Sequence, residues 1–305
     1  MIGIPEVFVR NTVAREGRIG RKWIAALPGL VDGLLERWGC TPGAPVRHGQ
    51  VGIVVPVRSA DLPAAVLKVS FPHPGNVHEQ AALAAWGGLG AVRLHCSDDA
   101  RFAMLLERAS TTTLADLPDV DQAVTAAGVL AARLAVPAPA GPTGLPGLPG
   151  LRDHALRWAR EIGPDSAELG DPLPRRVTDC AAAAFREFGV DQPDTLVHGD
   201  LHFTNVLRAE REPWLAIDPK GLVGDPAYDG VTLLRSRCED LVRATDPRAA
   251  LLRRLAIFSD AAGLDRERSR RWAQARAVQA VLWGRRHADP PQVVRVAELI
   301  AELLV

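Results

Sequence analysis

The apolar stretch Thr195-Leu196-Val197 runs directly into His198-Gly199-Asp200-Leu201-His202-Phe203-Thr204-Asn205, and this junction constrains the fold more than any other part of the chain. It places a carboxylate and an amide five residues apart on a loop that leaves a strand. For both groups to act at one point, a second element must pack beside that loop. The sequence supplies one: Val206-Leu207-Arg208, a polar turn over 209–213, and Trp214-Leu215-Ala216-Ile217 read as a hairpin that delivers Asp218 at its end.

The spacing H-x-D-x-x-x-x-N is that of a kinase catalytic loop. In such a loop the aspartate accepts the proton of the attacking hydroxyl, and the asparagine binds a magnesium ion that bridges nucleotide phosphates. Asp200 is then the general base and Asn205 a metal ligand. Asp218, one hairpin later, falls where kinases hold the aspartate that completes the metal site. The rival reading takes His198, Asp200 and His202 as a zinc cluster of a metallohydrolase, because two imidazoles and a carboxylate so close can bind that metal. It leaves Asn205 and the Asp218 hairpin without a role.

Upstream, residues 51–57 and 65–69 are β-branched and apolar, with Asp61-Leu62-Pro63 as the turn between them. The second run, Val66-Leu67-Lys68-Val69, carries one lysine on an apolar strand. A lysine pointing inward there needs a counter-charge or an anionic ligand to offset desolvation. Glu79, in the first turn of a helix expected over 78–86, is the candidate partner. Either residue alone reads as a solvated surface group; only their joint order suggests a phosphate-binding pair. Further strands are expected over 91–94 and 102–106, and residues 22–38 read as an amphipathic helix with a kink or late start at Pro28. Beyond Glu107 the pattern turns helical, first over 120–136 and again from Arg152 onward. Between them, 137–150 is a Pro/Gly surface connection, too short in its Gly-x-x repeat for a triple helix.

Composition excludes several classes. Only three of the 36 basic residues are lysines, and none follows a glycine, so a Walker A loop is absent. No G-x-G-x-x-G follows a strand, which removes the usual dinucleotide-fold signal. Basic and acidic residues balance at 36 each, so no global field recruits nucleic acid or an anionic membrane. No leader or spanning segment is read, which points to a cytoplasmic protein with a small-molecule partner. Cys40, Cys96, Cys180 and Cys238 lie far apart with no C-x-x-C pair and are expected as reduced thiols. Oligomeric state has no signature.

With these motifs in place, the chain resembles the aminoglycoside and hydroxyurea phosphotransferases, antibiotic kinases that share the protein-kinase fold. The segment Arg211 to Asp229, REPWLAIDPKGLVGDPAYD, is similar to the streptomycin 6-phosphotransferase and hydroxyurea phosphotransferase branch in particular. The resemblance implies an α+β, two-lobed protein-kinase-like fold: a small N-terminal β-sheet lobe with one main helix, and a larger, mostly helical C-terminal lobe. It implies a nucleotide-binding lobe over 1–106, a hinge over 107–109 and a catalytic and substrate-binding lobe over 110–305. It also implies ATP, Mg²⁺ and phosphorylation of a hydroxyl on a small antibiotic. By the same resemblance the backbone of Glu107 and Ala109 would meet adenine. The turn His48-Gly49-Gln50-Val51-Gly52 would cover the phosphates, although it departs from the protein-kinase glycine pattern. A kinase of a hydroxylated metabolite and a non-catalytic nucleotide-binding protein are the alternatives on the same scaffold.

The remaining signals are local. Asp225 and Asp229 are expected to brace the catalytic loop rather than bind substrate. Trp272 and Trp283, three helical turns apart, read as one buried stripe. Lys220 beside Asp218 either approaches phosphate or is solvated. From Gly230 to Val305 fourteen arginines face nine acidic residues, whereas from Glu161 to Asp194 eight acidic residues face three arginines. The excess of arginine favours an acceptor with few positive charges, and the acidic segment is where a cation would have to be held.

Overall fold

The computed structural model describes residues 2–139 and 147–305, so part of the Pro/Gly connection read over 137–150 lies outside the described residues. The chain forms two compact units, Met1–Ser110 and Thr111–Val305.

The first unit is built on an antiparallel sheet. Helix α1 (Glu6–Arg37) precedes strands β1 (Thr41–Pro42), β2 (Arg47–His48), β3 (Gly52–Arg58) and β4 (Ala65–Ser70); helix α2 (Glu79–Trp86) leads to β5 (Leu94–Asp98) and β6 (Ala103–Glu107). The strand order is β1-β3-β4-β6-β5, with β2 also on β3. Ile53, Val55 and Val57 alternate on β3, Leu67 and Val69 on β4, and all five are buried with Leu27, Val31 and Leu34 of α1. That period-two burial against one helix face fixes the register, because a one-residue slip would turn the whole set outward.

Two expectations need correction here. The helix read over 22–38 begins at Glu6. Its first half was hidden because it is polar and is broken at Gly17, whose φ of 58° and ψ of −130° interrupt the apolar repeat; Phe8 nonetheless reaches the core. The strand read over 91–94 runs instead from Leu94 to Asp98. Its half-exposed edge position leaves little apolar pattern to detect, whereas Ala91 and Val92 are buried outside it.

In the second unit α3 (Val120–Leu134) and β7 (Val136–Pro137) come before α4 (Leu151–Glu168), α5 (Arg175–Phe188) and β8 (Thr195–Val197). A hairpin of β9 (Val206–Arg208) and β10 (Trp214–Ala216), then β11 (Leu222–Val223), lead into α6 (Gly230–Leu233), α7 (Cys238–Arg243), α8 (Pro247–Ala262), α9 (Arg266–Arg286) and α10 (Pro291–Leu303). Asp119, Asp246 and Asp265 cap α3, α8 and α9 through their side-chain oxygens, so the helix starts are written locally. Trp272 is fully buried, stacked on Phe188 at 4.4 Å and edge-on to Phe185 and Tyr228. Loss of so large a side chain costs about 3–5 kcal/mol. Trp283 does not share that burial: it is 55% exposed and stacks on His287 at 3.8 Å. At that end of α9 the buried positions are Val281, Leu282 and Gly284, so the apolar stripe has rotated past the tryptophan.

Candidate active site

Strand β8 buries Leu196 and Val197 between β7 and β11 and so carries the chain to His198 at a fixed height in the core. The turn that follows requires Gly199. Its φ is +81°, and an added Cβ would stand 2.9 Å from Leu222 Cδ1 and 3.0 Å from Lys220 Cβ. The reversed backbone points two amides inward, and one carboxylate takes both. His198 N–H donates to Asp229 Oδ2 at 2.9 Å, and Gly199 N–H donates to Asp229 Oδ1 at 2.6 Å. Complete burial pushes the Asp229 carboxyl up to about 7, against the pull of those two amides, and the charge of Asp200 adds to the rise.

His198 joins the loop to the next element. Its Nδ1 accepts from the Asp200 N–H at 3.2 Å, which leaves Nε2 as the donor to the Ile217 carbonyl at 2.9 Å. Burial lowers this imidazole to about 4, so it stays neutral at physiological pH. With both ring nitrogens committed to backbone, His198 has no lone pair for a metal. The zinc-cluster reading fails on that geometry. Among the described residues no group of three or more His, Cys, Asp or Glu side chains is arranged to hold a metal ion.

Asn205 closes the loop on itself: its side-chain amide donates to the Asp200 carbonyl at 3.0 Å, leaving the oxygen as the atom that can meet a cation. The Ile217 N–H donates to the Asn205 carbonyl at 2.9 Å, and the Lys220 N–H to the His198 carbonyl at 2.8 Å. These bonds clamp the end of the β9–β10 hairpin to the loop on both sides of Asp218. Asp218 itself has φ of 56°, a left-handed conformation uncommon for a residue with a Cβ and worth notice where it occurs. Asp200, Asn205 and Asp218 are thus brought together by backbone bonds within one unit. Two groups that sequence did not settle also come to Asp200: Lys220 Nζ lies 3.5 Å and His202 Nε2 3.9 Å from Asp200 Oδ2. Asp225 is structural, accepting from Ala227 N–H and from the side chains of Arg268 and Trp272.

In the first unit, Lys68 and Glu79 form the expected pair. Lys68 follows Leu67 onto the opposite face of β4, where α2 presents Glu79, and Nζ meets Oε1 at 2.6 Å with both residues buried. Glu107 ends β6; its N–H donates to the Arg93 carbonyl and its carboxylate accepts from the Arg93 N–H. Ala109 follows in the extended link, and no backbone carbonyl among the described residues takes its N–H. The turn at 49–52 is closed by a bond from Gly49 N–H to the Gly52 carbonyl, and a Cβ on Gly52 would meet Ser70 Oγ at 2.6 Å, so this glycine serves strand packing.

A catalytic-type loop clamped to an aspartate-bearing hairpin, in a chain with a small sheet unit and a larger helical unit, defines a phosphotransferase of the protein-kinase-like class. The chain belongs to the aminoglycoside/hydroxyurea antibiotic resistance kinase family, whose model matches residues 37–288. It is 39% identical over 285 residues to a streptomycin 6-kinase of Streptomyces glaucescens, covering 93% of this chain and 91% of that one. It is 37% identical over 307 residues to a hydroxyurea phosphotransferase of Kitasatospora aureofaciens, covering 98% and 86%. Among solved structures it is similar to the aminoglycoside phosphotransferase APH(4)-Ia in ternary complex with AMP-PNP and hygromycin B, with a TM-score of 0.55, 16% identity and coverage of 89% and 97%. The two-lobed α+β fold expected from the sequence is the fold of these relatives. No helix among the described residues is long and apolar enough to cross a membrane.

Proposed function

We propose that this protein transfers the γ-phosphoryl group of ATP, with Mg²⁺, to a hydroxyl of a small antibiotic and thereby confers resistance to it. The observation that carries this reading is the clamp between His198, Asn205 and the Asp218 hairpin. Catalysis of phosphoryl transfer is chiefly positioning and electrostatics, and the clamp fixes three groups without using their reactive atoms.

In this reading Asp200 takes the proton of the acceptor hydroxyl as its oxygen bonds to the γ-phosphorus; the bond to the bridging oxygen breaks and ADP leaves with the electron pair. Lys68, oriented by Glu79, offers its ammonium to the phosphates, and the Glu107 carbonyl and Ala109 N–H meet adenine. Asn205 and Asp218 would hold Mg²⁺, which when bound neutralises phosphate charge; one amide oxygen and one carboxylate suit an ion that keeps water and phosphate as its other ligands. On this assignment residues 1–106 bind nucleotide, 107–109 form the hinge and 110–305 carry catalysis and acceptor binding. The protein would act in the cytoplasm, where ATP is supplied.

Relatives named for streptomycin and for hydroxyurea make these the first acceptors to test. Purified protein with Mg²⁺ and ATP is expected to convert at least one of them to a phosphate ester detectable by mass spectrometry. Absence of any ester from a panel of both compounds, other aminoglycosides and simple sugars would refute the proposal.

A further inference from the structure

Helix α1 is not a straight rod. In a continuous helix Phe8 and Trp23 would stand ~22 Å apart along the axis, yet their ring centroids are 6.1 Å apart in an edge-to-face pair. The chain folds back at Gly17, whose φ of 58° and ψ of −130° suit a residue without a Cβ. Gly20 lets the two stretches touch: an added Cβ there would stand 2.8 Å from the Thr12 carbonyl oxygen and 2.7 Å from Glu16 Cβ. Residues 6–16 are therefore an arm laid against the helix that follows them.

The arm meets the turn at 48–52. Phe8, 1% exposed, sets its ring 5.6 Å from that of His48. Trp23, which backs Phe8, also packs edge-on to Phe71 at 5.5 Å, and the Phe71 N–H donates to the Val51 carbonyl at 2.7 Å. At the tip, Arg15 Nη1 donates to the Gln50 carbonyl at 3.0 Å. Its Nε donates to Glu16 Oε1 at 2.6 Å, which fixes the direction of the guanidinium. Rings thus hold the turn from one side, and a guanidinium holds its tip. Arg15 and Gln50 are both exposed, so their bond adds little to the stability of the whole unit. What it restricts is local: the position of a short turn that has glycine at 49 and 52.

We propose that residues 6–16 brace this turn, and that Arg15 is a positioning residue for ATP: by holding the Gln50 carbonyl it keeps the turn 48–52 where its backbone covers the nucleotide phosphates. The inference rests on the kinase reading, in which that turn lies over the phosphates and the hinge takes adenine. A turn that is in place for only part of the time lowers the apparent affinity for its ligand by that fraction, and a contact that holds it beforehand removes the loss. The effect of the brace falls on the phosphates and not on the nucleoside.

The test compares a ligand that carries phosphates with one that has none. The affinities of AMP-PNP with Mg²⁺ and of adenosine, the latter by competition with AMP-PNP, are measured calorimetrically on the whole wild-type protein, Arg15→Ala and Glu16→Gln, with a melting temperature for each. Arg15→Ala is expected to melt as the wild type does, to bind AMP-PNP ~5-fold more weakly with a matching rise in KM for ATP, and to keep its affinity for adenosine. Glu16→Gln, which frees the guanidinium, should show the same selective loss at smaller size. AMP-PNP affinity unchanged in Arg15→Ala overturns the proposal. So does equal weakening of adenosine and AMP-PNP, the mark of a merely structural arm. If Arg15→Ala melts early, Glu16→Gln decides by the same comparison. Turnover separates the brace from the kinase reading. If AMP-PNP binds with the Arg15 dependence but no acceptor is phosphorylated, the brace stands and the phosphotransferase reading falls. If an acceptor is phosphorylated and nucleotide binding ignores Arg15, the brace falls and the kinase reading stands. A wild-type protein that binds no nucleotide overturns both.

Discussion

Gly199 shows how much of the site depends on one backbone conformation. Alanine there must hold φ near +81° and fit a methyl against Leu222 and Lys220, and the left-handed conformation alone costs about 1–2 kcal/mol. Gly199→Ala should therefore lower both melting temperature and activity, because the same turn directs two amides to Asp229. Wild-type activity in that variant would mean the loop tolerates another path. His198 gives a pH-dependent test. Its pKa is depressed in the fold from 6.5 to about 4, so its contribution to stability is present above 6.5 and is lost as pH falls through about 4. Asp229, raised to about 7, acts with the opposite sign, present below its ordinary value of 3.8 and lost as pH rises through about 7. The difference between wild type and His198→Gln removes the Asp229 contribution. Between about pH 7 and about pH 4 the wild type should lose about 3 kcal/mol more than the variant in urea unfolding. Parallel profiles would show that His198 does not titrate as its burial requires. Asp200, Asn205 and Asp218 were legible because their spacing is local and each lies beside a recognisable strand. Lys220 was not, since whether a long side chain turns toward Asp200 depends on how the chain beyond β10 folds back.

Strand β4 and helix α2 make their own prediction. Lys68 and Glu79 are buried at 2.6 Å, and removing one partner leaves an uncompensated charge that typically destabilises by about 3–5 kcal/mol. Each single alanine variant should lose stability and productive ATP use, and the double variant should lose much less than the sum. Strictly additive losses in a double-mutant cycle would show that the pair is not a unit. This pair could be read in sequence because the lysine interrupts an otherwise apolar strand. The first half of α1 could not, because Gly17 breaks the repeat and the helix is polar apart from residues such as Phe8. Trp283 misled for the complementary reason. Helical phase put it with Trp272, but burial at the end of α9 follows Val281, Leu282 and Gly284.

At the scale of the molecule, the balanced net charge conceals a division that only the fold reveals. Four acidic residues between 161 and 194, namely Asp165, Glu168, Glu187 and Asp191, pair with arginines of α9. Counting charges along the chain could not tell which arginines were already paired. The central claim concerns Asp200, and one measurement addresses it most directly: single-turnover formation of the phosphate ester from ATP and Mg²⁺ by wild type and Asp200→Asn, with nucleotide affinity measured on both. The variant should bind ATP as the wild type does and form ester ~10²–10⁴-fold more slowly, the contribution of a positioned general base. Near-normal transfer by Asp200→Asn, with ATP binding intact, would contradict the assignment of the base.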